Sequence, residues 1–323
     1  MKSTCLAAGF ATVVSVFPCA VGAQGAAEGY PARPVRVIVA QTAGGNADAQ
    51  ARLFATRLSD RLGKQFIVDN RPGRYVAWLI AKKSSADGYT LLAVLPDLTY
   101  APALDRHLPV DPVRDFAPIS LMTQTPYLLV VSPSLPVTSV RDLVAFAKSN
   151  PGKLNFGGGI TGAGTHLMSA LLFSLTGIEA TYVPYKGAAQ SLIDITSGQI
   201  DAGFGTATAA LLVKSGKLRA LGISTAARSR LFPDLPTIAE QGVPGFDARA
   251  FHGWAAPAGT PVEVIRKLSA ELIQAARNPE IVAAVRNSNS EVVGTTPEEF
   301  AKFVAAEIPR WHRVVRQSGI KVD

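Results

Sequence analysis

Two glycine-rich segments are the part of this sequence best suited to bind a small anion. They span residues 41–46 (QTAGGN) and 157–164 (GGGITGAG), and each follows a predicted strand and precedes a predicted helix. The first backbone N–H groups of a helix have no partner within it and carry partial positive charge. Glycine also lets the backbone approach a ligand, because no Cβ intervenes. Such a loop can hold a carboxylate or a phosphate without a cationic side chain.

Either loop alone is equally compatible with a structural tight turn, whereas two such loops favour one shared anion site if they face each other. His166 is the one histidine that we place near a ligand, because it starts the helix after the second loop. Tyr185 follows a later predicted strand and fits a ligand contact and a solvated turn equally well. The candidate ligand-binding residues of the two loops are Gln41, Thr42, Ala43, Gly44 and Asn46, followed by Gly158 and Gly159.

The second loop also matches the G-x-G-x-x-G pattern of dinucleotide-binding proteins, at Gly157, Gly159 and Gly162. A dinucleotide site would also use an acidic residue at the far end of the next strand. Glu179 has about the right spacing, but it stands at the beginning of the predicted strand 181–184, so its side chain would lie at the wrong end. We therefore predict no cofactor.

Motifs of catalysis and metal binding do not occur in the sequence: H-E-x-x-H, G-x-S-x-G and C-x-x-C are absent, and the four histidines are dispersed. A secreted enzyme would need a nucleophile with a base, or a set of metal ligands, converging in one cleft. The sequence offers no such set, so we predict a protein without a catalytic step and without a metal site.

The composition indicates a packed globular protein long enough for two lobes. Of the 323 residues, 48% are hydrophobic and 17% are charged. The net charge of +8 comes from scattered Lys and Arg residues rather than a basic stripe, which argues against nucleic-acid binding and would help to attract anions.

The amino terminus has the layout of a secretory signal peptide. Lys2 precedes an apolar stretch, residues 5–21, and small residues follow up to Ala23, so we predict a signal peptide over residues 1–23. Cuts after Ala20 or Ala27 and an uncleaved membrane anchor are the alternatives. Both cysteines, Cys5 and Cys19, lie inside this segment, so the mature chain would have no disulfide.

Strand and helix patterns alternate along the chain, which predicts mixed, mostly parallel sheets covered by helices. The last part is predicted to be helical. Thr260 is a candidate cap for a helix that begins at Pro261, and Thr296 with Glu299 has the spacing of a capping box. Pro309 should kink or break the final helix.

Short motifs in a fixed order extend this description from Tyr30 to Ile320. Each is weak alone, but their order is specific, and together the chain resembles the tripartite tricarboxylate transporter receptors, the Bug-type periplasmic binding proteins. The motifs are Tyr30-Pro31-x-Arg33-Pro34-Val35-Arg36, Asn70-Arg71-Pro72-Gly73, Asp87-Gly88-Tyr89-Thr90-Leu91-Leu92, Asp111-Pro112-Val113-Arg114-Asp115-Phe116-Ala117-Pro118, Pro151-Gly152-Lys153-Leu154-Asn155, Val183-Pro184-Tyr185-Lys186-Gly187, Gly216-Lys217-Leu218-Arg219-Ala220-Leu221 and Ala256-Pro257-Ala258-Gly259-Thr260-Pro261.

The resemblance implies a type II periplasmic binding protein fold with two α/β lobes. Lobe 1 would comprise residues 30–128 with 252–323, and lobe 2 residues 129–251. It also implies a monomeric, exported receptor in the periplasm that clamps a small carboxylate in the cleft between its lobes. Its partners would be integral-membrane transporter subunits, and a signalling partner is the alternative that the sequence cannot separate from them.

Some polar residues usual in the family are missing from the loops of this chain. Gly158, Ala163 and Gly164 stand where the family has hydroxyl residues, and Gly205-Thr206 replaces an Asp-Asn pair. Thr161, Thr165 and Thr206 are therefore expected to substitute as ligand-binding side chains.

Overall fold

Residues 28–318 and residue 320 are described by a computed structural model, in which helices flank two separate β-sheets. The predicted signal peptide lies outside the described residues. The first sheet contains β1 (Val35–Val39), β2 (Phe66–Asn70), β3 (Thr90–Val94), β4 (Phe116–Pro126), β10 (Arg249–Pro257) and β11 (Glu291–Val292). The second contains β5 (Leu128–Val131), β6 (Asn155–Gly158), β7 (Thr181–Pro184), β8 (Ala202–Gly205) and β9 (Arg219–Ile223).

Most strands of each sheet point the same way. In the first sheet, ordered β11-β4-β10-β3-β1-β2, strands β1 to β4 share one direction, and β10 and β11 oppose them. In the second, ordered β7-β6-β8-β5-β9, β5 alone opposes the other four. The predicted two-lobed α/β fold with mixed, mostly parallel sheets is therefore confirmed.

Helices follow most of the parallel strands, as the alternating sequence pattern predicts. None of the helices in residues 28–318 is both long and apolar enough to cross a bilayer. The helices are α1 (Asn46–Leu62), α2 (Arg74–Lys83), α3 (Pro96–Leu104), α4 (Val140–Ser149), α5 (Gly164–Thr176), α6 (Ala188–Ser197), α7 (Ala207–Lys214), α8 (Val262–Ala276), α9 (Pro279–Asn287) and α10 (Pro297–Ser318).

Local capping chemistry fixes several helix ends where the sequence places them. Gly63 ends α1 in the left-handed conformation, at φ 66°, which glycine adopts without steric cost. The capping box of α10 forms in both directions: the Thr296 N–H donates to Glu299, and the Glu299 N–H donates to the Thr296 hydroxyl.

At the carboxyl-terminal helices, the predicted cap at Thr260 is wrong, and of the two effects expected of Pro309 the break does not occur. Helix α8 begins at Val262, and the Thr260 hydroxyl donates backwards to the Pro257 carbonyl at 2.8 Å instead of capping the helix. Helix α10 runs through Pro309 without a break. Its apolar face stays buried on both sides of the proline, at Val304 and Trp311, and this packing offsets the hydrogen bond that proline removes.

The chain passes from the first sheet to the second at Tyr127, between β4 and β5, and returns between β9 and β10. Helix α10 contacts both halves. Its residues Phe300 and Val304 pack with Phe251 of the first sheet, whereas Trp311 and Val314 join the core around α5. The lobe boundaries drawn from the sequence stay a prediction, and α10 connects the two lobes that they define.

We expect Trp311→Ala to lower the free energy of unfolding by about 3–5 kcal/mol, because it empties a large buried site. The Trp311 ring is fully buried, stacks edge-on against Tyr100 with 4.6 Å between ring centroids, and donates its Nε1–H to Glu307 at 2.8 Å. Chemical denaturation followed by circular dichroism measures the loss. The exposed Val293→Ala is the control, expected within about 0.5 kcal/mol of the parent. If Trp311→Ala changed the free energy of unfolding as little as Val293→Ala does, α10 would not contribute to holding the two lobes together.

Candidate ligand-binding cleft

A cavity of about 320 Å³ lies where the two lobes meet. The amino-terminal ends of three helices, α1, α3 and α5, reach its wall, and the crossing strands β4 and β10 form its floor. Its volume is at the lower end of the range for small-molecule sites, about 300–1,000 Å³. The lining residues are Gln41, Asn46, Ala47, Gln50, Leu95, Pro96, Asp97, Tyr100, Thr123, Thr125, Tyr127, Ile160, Gly162, Ala163, Gly164, Ala250, Phe251 and His252.

The first loop is held in shape by Asp48 in the first turn of α1. The Gly44 N–H donates to the buried Asp48 carboxylate at 2.9 Å, and Arg52 pairs with the same carboxylate at 2.9 Å. Gly44 has φ 84°, a left-handed conformation that favours glycine. Burial alone would raise the pKa of Asp48, but hydrogen bonds from Arg52 and Gly44 hold it below its ordinary value. The N-cap residue of α1, Gly45, makes no side-chain hydrogen bond to the helix. The N–H groups of the first turn, at the cavity end of the helix, are therefore not capped by a side chain.

The second loop is held by side chains of the helix that follows it. The Thr165 hydroxyl accepts the Gly159 N–H at 2.8 Å, and His166 Nδ1 accepts the Gly162 N–H at 3.0 Å. From the neighbouring strand, the Tyr182 hydroxyl donates to the Gly159 carbonyl at 2.7 Å. Helix α5 has no side-chain cap at Ala163 and no acidic residue in its first turn, so its N-terminus keeps its partial positive charge.

The structure brings the two loops to one cavity, but only some of the predicted residues line it. Gln41 and Asn46 line the cavity, whereas Thr42, Ala43 and Gly44 are exposed in the same loop. The second loop lines it through Ile160 and residues 162–164, not through Gly158, Gly159, Thr161, Thr165 or His166. Tyr185 and Thr206 also lie off the lining, the former donating its hydroxyl to Asp194 at 2.5 Å. The ligand-binding roles of the whole set stay a prediction.

Gly158 and Thr165 are placed as supports of the loop. A Cβ at Gly158 would meet the Tyr182 hydroxyl and come within 2.8 Å of Thr165 Oγ1, so the position requires glycine for the close approach. Gly158 and Thr165 therefore help to fix the shape of the second loop, and other residues of that loop line the cavity.

The polar floor of the cleft was not predictable from the sequence. Gln50 accepts a hydrogen bond from Thr123 and donates to Ser290 at 3.1 Å, while Thr125 and Ser290 share a hydrogen bond of 2.7 Å. His252 lies beside this network, because it is paired with Thr123 on the neighbouring strand. These residues lie far apart in the chain, and the strand pairing of β4 with β10 brings them together, so no local pattern could reveal them.

The floor is uncharged at His252 and Tyr100. Burial lowers the pKa of His252 to about 3, so the imidazole is neutral at ordinary pH. Burial, reinforced by Tyr127 and Glu307, raises the pKa of Tyr100 well above its ordinary value, so the phenol keeps its proton. Among the lining residues within the described part of the chain there is no Lys or Arg. Any anion in this cleft would be held by backbone N–H groups, helix ends and uncharged side-chain donors such as Gln41 and Asn46.

The chain is similar in sequence and in overall structure to known proteins. The sequence model for the Tripartite tricarboxylate transporter family receptor matches residues 50–320. Protein BugT of Bordetella pertussis is 35% identical over 317 residues, covering 96% of this chain and 97% of the relative. The structure of R. palustris Rpa4515 with adipate superimposes with a TM-score of 0.79 at 36% identity, covering 90% of this chain and 99% of the other. MatC from Rhodopseudomonas palustris with bound malate gives a TM-score of 0.75 at 29% identity, covering 88% and 100%.

We expect Asp48→Asn to lower the free energy of unfolding at neutral pH by about 1 kcal/mol, because a charge favourable to both Arg52 and the helix end is lost. Since the folded-state pKa of Asp48 lies below its unfolded value, its stabilisation is complete above the unfolded pKa and disappears as the pH falls through the folded one. The difference between the parent and the variant should therefore narrow between about pH 5 and about pH 2.

Denaturant titrations across this pH range measure the difference. Asp60→Asn, at an exposed position of the same helix, is the control, with an expected change within about 0.5 kcal/mol. A gap between the parent and Asp48→Asn that stays constant down to about pH 2 would contradict the assignment of the ionised carboxylate as the anchor of the loop.

Proposed function

We propose, from the premise that the chain belongs to the tripartite tricarboxylate transporter receptor family, that it captures a small carboxylate in the cleft between its lobes and delivers it to integral-membrane transporter subunits. The protein would act in the periplasm, as a monomer, after removal of the predicted signal peptide. It would bind and release its ligand without a chemical step.

The convergence of α1 and α5 on one cavity is the observation that carries this proposal. Both helices begin without a side-chain cap, so both present unpaired N–H groups and positive dipole ends. Two helix ends from different lobes can hold the oxygens of one carboxylate between them. The relatives support this ligand class, since Rpa4515 was solved with adipate and MatC with malate.

Ligand binding would favour the closed arrangement of the lobes. The α1 end belongs to the first sheet and the α5 end to the second, so one carboxylate contacts both only when the lobes are together. A ligand shifts a conformational equilibrium by its difference in affinity for the two states, and contacts to both lobes supply that difference. The crossing strands at Tyr127 and between β9 and β10 are where the chain would bend.

A designed N-cap tests whether the α5 end binds the carboxylate. Ala163→Asp places a carboxylate over the first-turn N–H groups, which should keep or raise the stability of the free protein by about 0.5–2 kcal/mol. The same carboxylate would occupy the anion site, so we expect the ligand-induced rise in melting temperature to disappear. A thermal-shift panel of mono-, di- and tricarboxylates against the protein purified from the periplasm measures both effects.

Gly187→Asp is the matched control. Gly187 caps α6 without a side chain, is exposed, and has open space around the position of a Cβ. This variant should bind acids like the parent. An Ala163→Asp protein that keeps the full thermal shift would remove the α5 end from the site, and a parent that no acid stabilises would overturn the carboxylate assignment.

A further inference from the structure

The hydroxyl of Tyr127 lies at the cavity end of α5, in the space that a side chain of the first helical residue would fill. A Cβ at Gly164 would lie 2.5 Å from the Tyr127 hydroxyl oxygen and 3.4 Å from the ring carbon that carries it. The Cα–Cβ bonds of a helix tilt towards its N-terminus, and its unpaired N–H groups point the same way. The hydroxyl therefore lies on the side of α5 where an anion would bind, and both residues line the cavity.

Tyr100 stands beside the same helix end with a hydroxyl that the protein leaves unpaired. A Cβ at Gly164 would lie 3.8 Å from the edge of the Tyr100 ring, and Tyr100 lines the cavity. The side chain is 2% exposed, and within the described residues its hydroxyl has no hydrogen-bond partner. Since buried polar groups are nearly always paired, this hydroxyl is a second indication, independent of the helix, that a ligand group binds here.

The chemistry of two buried phenols suits a carboxylate. Burial raises the pKa of both tyrosines above the ordinary value, and the charge of Asp97 adds to the effect, so each phenol keeps its proton. A protonated phenol has one O–H to donate, whereas an ionised carboxylate only accepts. Hydrogen bonds to an ionised acceptor are roughly twice as strong as those between neutral groups. The two hydroxyls therefore complement the N–H groups of α5, which also only donate.

We propose that Tyr127 and Tyr100 donate their hydroxyl hydrogens to the ligand carboxylate at the amino-terminal end of α5. This inference rests on the proposed function, because it adds two side-chain donors to the carboxylate site assigned there. It also explains the glycine at position 164. The Tyr127 hydroxyl takes the place of the side chain that Gly164 lacks, so the two residues form a matched pair.

Phenylalanine variants test the proposal, because they remove the hydroxyls and keep the rings. Hexanoate, adipate, succinate and malate serve as probes in isothermal titration calorimetry. For each acid that the parent binds, Tyr127→Phe and Tyr100→Phe should each weaken binding about tenfold or more. Tyr100→Phe should not lower the melting temperature of the free protein, since the hydroxyl that it removes has no partner and the ring still packs on Trp311.

Tyr30→Phe is the matched control, with the opposite expected pattern. The Tyr30 hydroxyl is also buried, but it donates to the Gly88 carbonyl at 2.6 Å and lies off the cavity lining. Its removal leaves a buried acceptor unpaired, so this variant should lower the melting temperature. Its affinity for the acids should match that of the parent.

An exchange of side chains tests the position of the Tyr127 hydroxyl. In the Tyr127→Phe background, Gly164→Ser supplies a hydroxyl from the helix itself and should restore the affinity to within about threefold of the parent. Gly164→Ala fills the same space without a hydroxyl and should not restore it. In the parent, Gly164→Ser should weaken binding, because its Cβ would clash with the Tyr127 hydroxyl.

The outcomes separate this inference from the proposed function. If the parent binds none of the acids, the carboxylate function is contradicted and the inference fails with it. If the parent binds an acid and both phenylalanine variants bind it equally well, the carboxylate function stands and the inference is overturned. If Gly164→Ala restores the affinity of Tyr127→Phe as well as Gly164→Ser does, or if neither restores it, the assignment of the Tyr127 hydroxyl to the α5 end is overturned.

Discussion

The unpaired N–H groups at the start of α1 and α5 are the feature on which the rest of this structure depends. An anion bound by backbone groups needs loops that hold their shape before the ligand arrives, since the loops themselves carry no cation. The shape comes from short-range hydrogen bonds: Asp48 accepts from Gly44, Thr165 from Gly159, and His166 from Gly162. These side chains serve the site by fixing its backbone rather than by contacting the cavity.

The connection between the lobes places those two helix ends opposite each other. Strands β4 and β10 pair with each other for most of their length, and the chain leaves for the second sheet at Tyr127. Tyr127 also lines the cavity, so the crossing point and the candidate ligand site share a wall. Helix α10 adds a second connection, because Phe300 packs in the first lobe and Trp311 joins the core of the second. Trp311 stacks on Tyr100, which links this connection to the cavity floor.

The cleft combines two kinds of binding group. The ends of α1 and α5 offer helix dipoles and free N–H groups, which suit a negative charge. Tyr100 and His252, both buried and both neutral, line the same cavity, together with the acidic Asp97. The helix ends belong to the fold itself, whereas side chains of the floor can vary among receptors built on one fold, and such side chains decide which ligand is bound.

The sequence by itself determined the order of strands and helices, the position of both glycine loops and several helix ends, because these follow from local periodicity and from capping at Gly63 and Thr296. The two-lobed fold was implied by the resemblance to a known receptor family. The sequence did not determine which residues of the second loop reach the cavity: Ile160 and residues 162–164 do so, while Gly158 and Thr165 support the loop. It also missed His252, it wrongly expected a cap at Thr260, and of the kink or break expected at Pro309 the break does not occur. The position of His252 and the continuity of α10 depend on contacts between residues distant in the chain, such as β4 with β10 or α10 with both cores. Only tertiary packing sets the free energy of such contacts, and it can outweigh a local preference of a few kcal/mol.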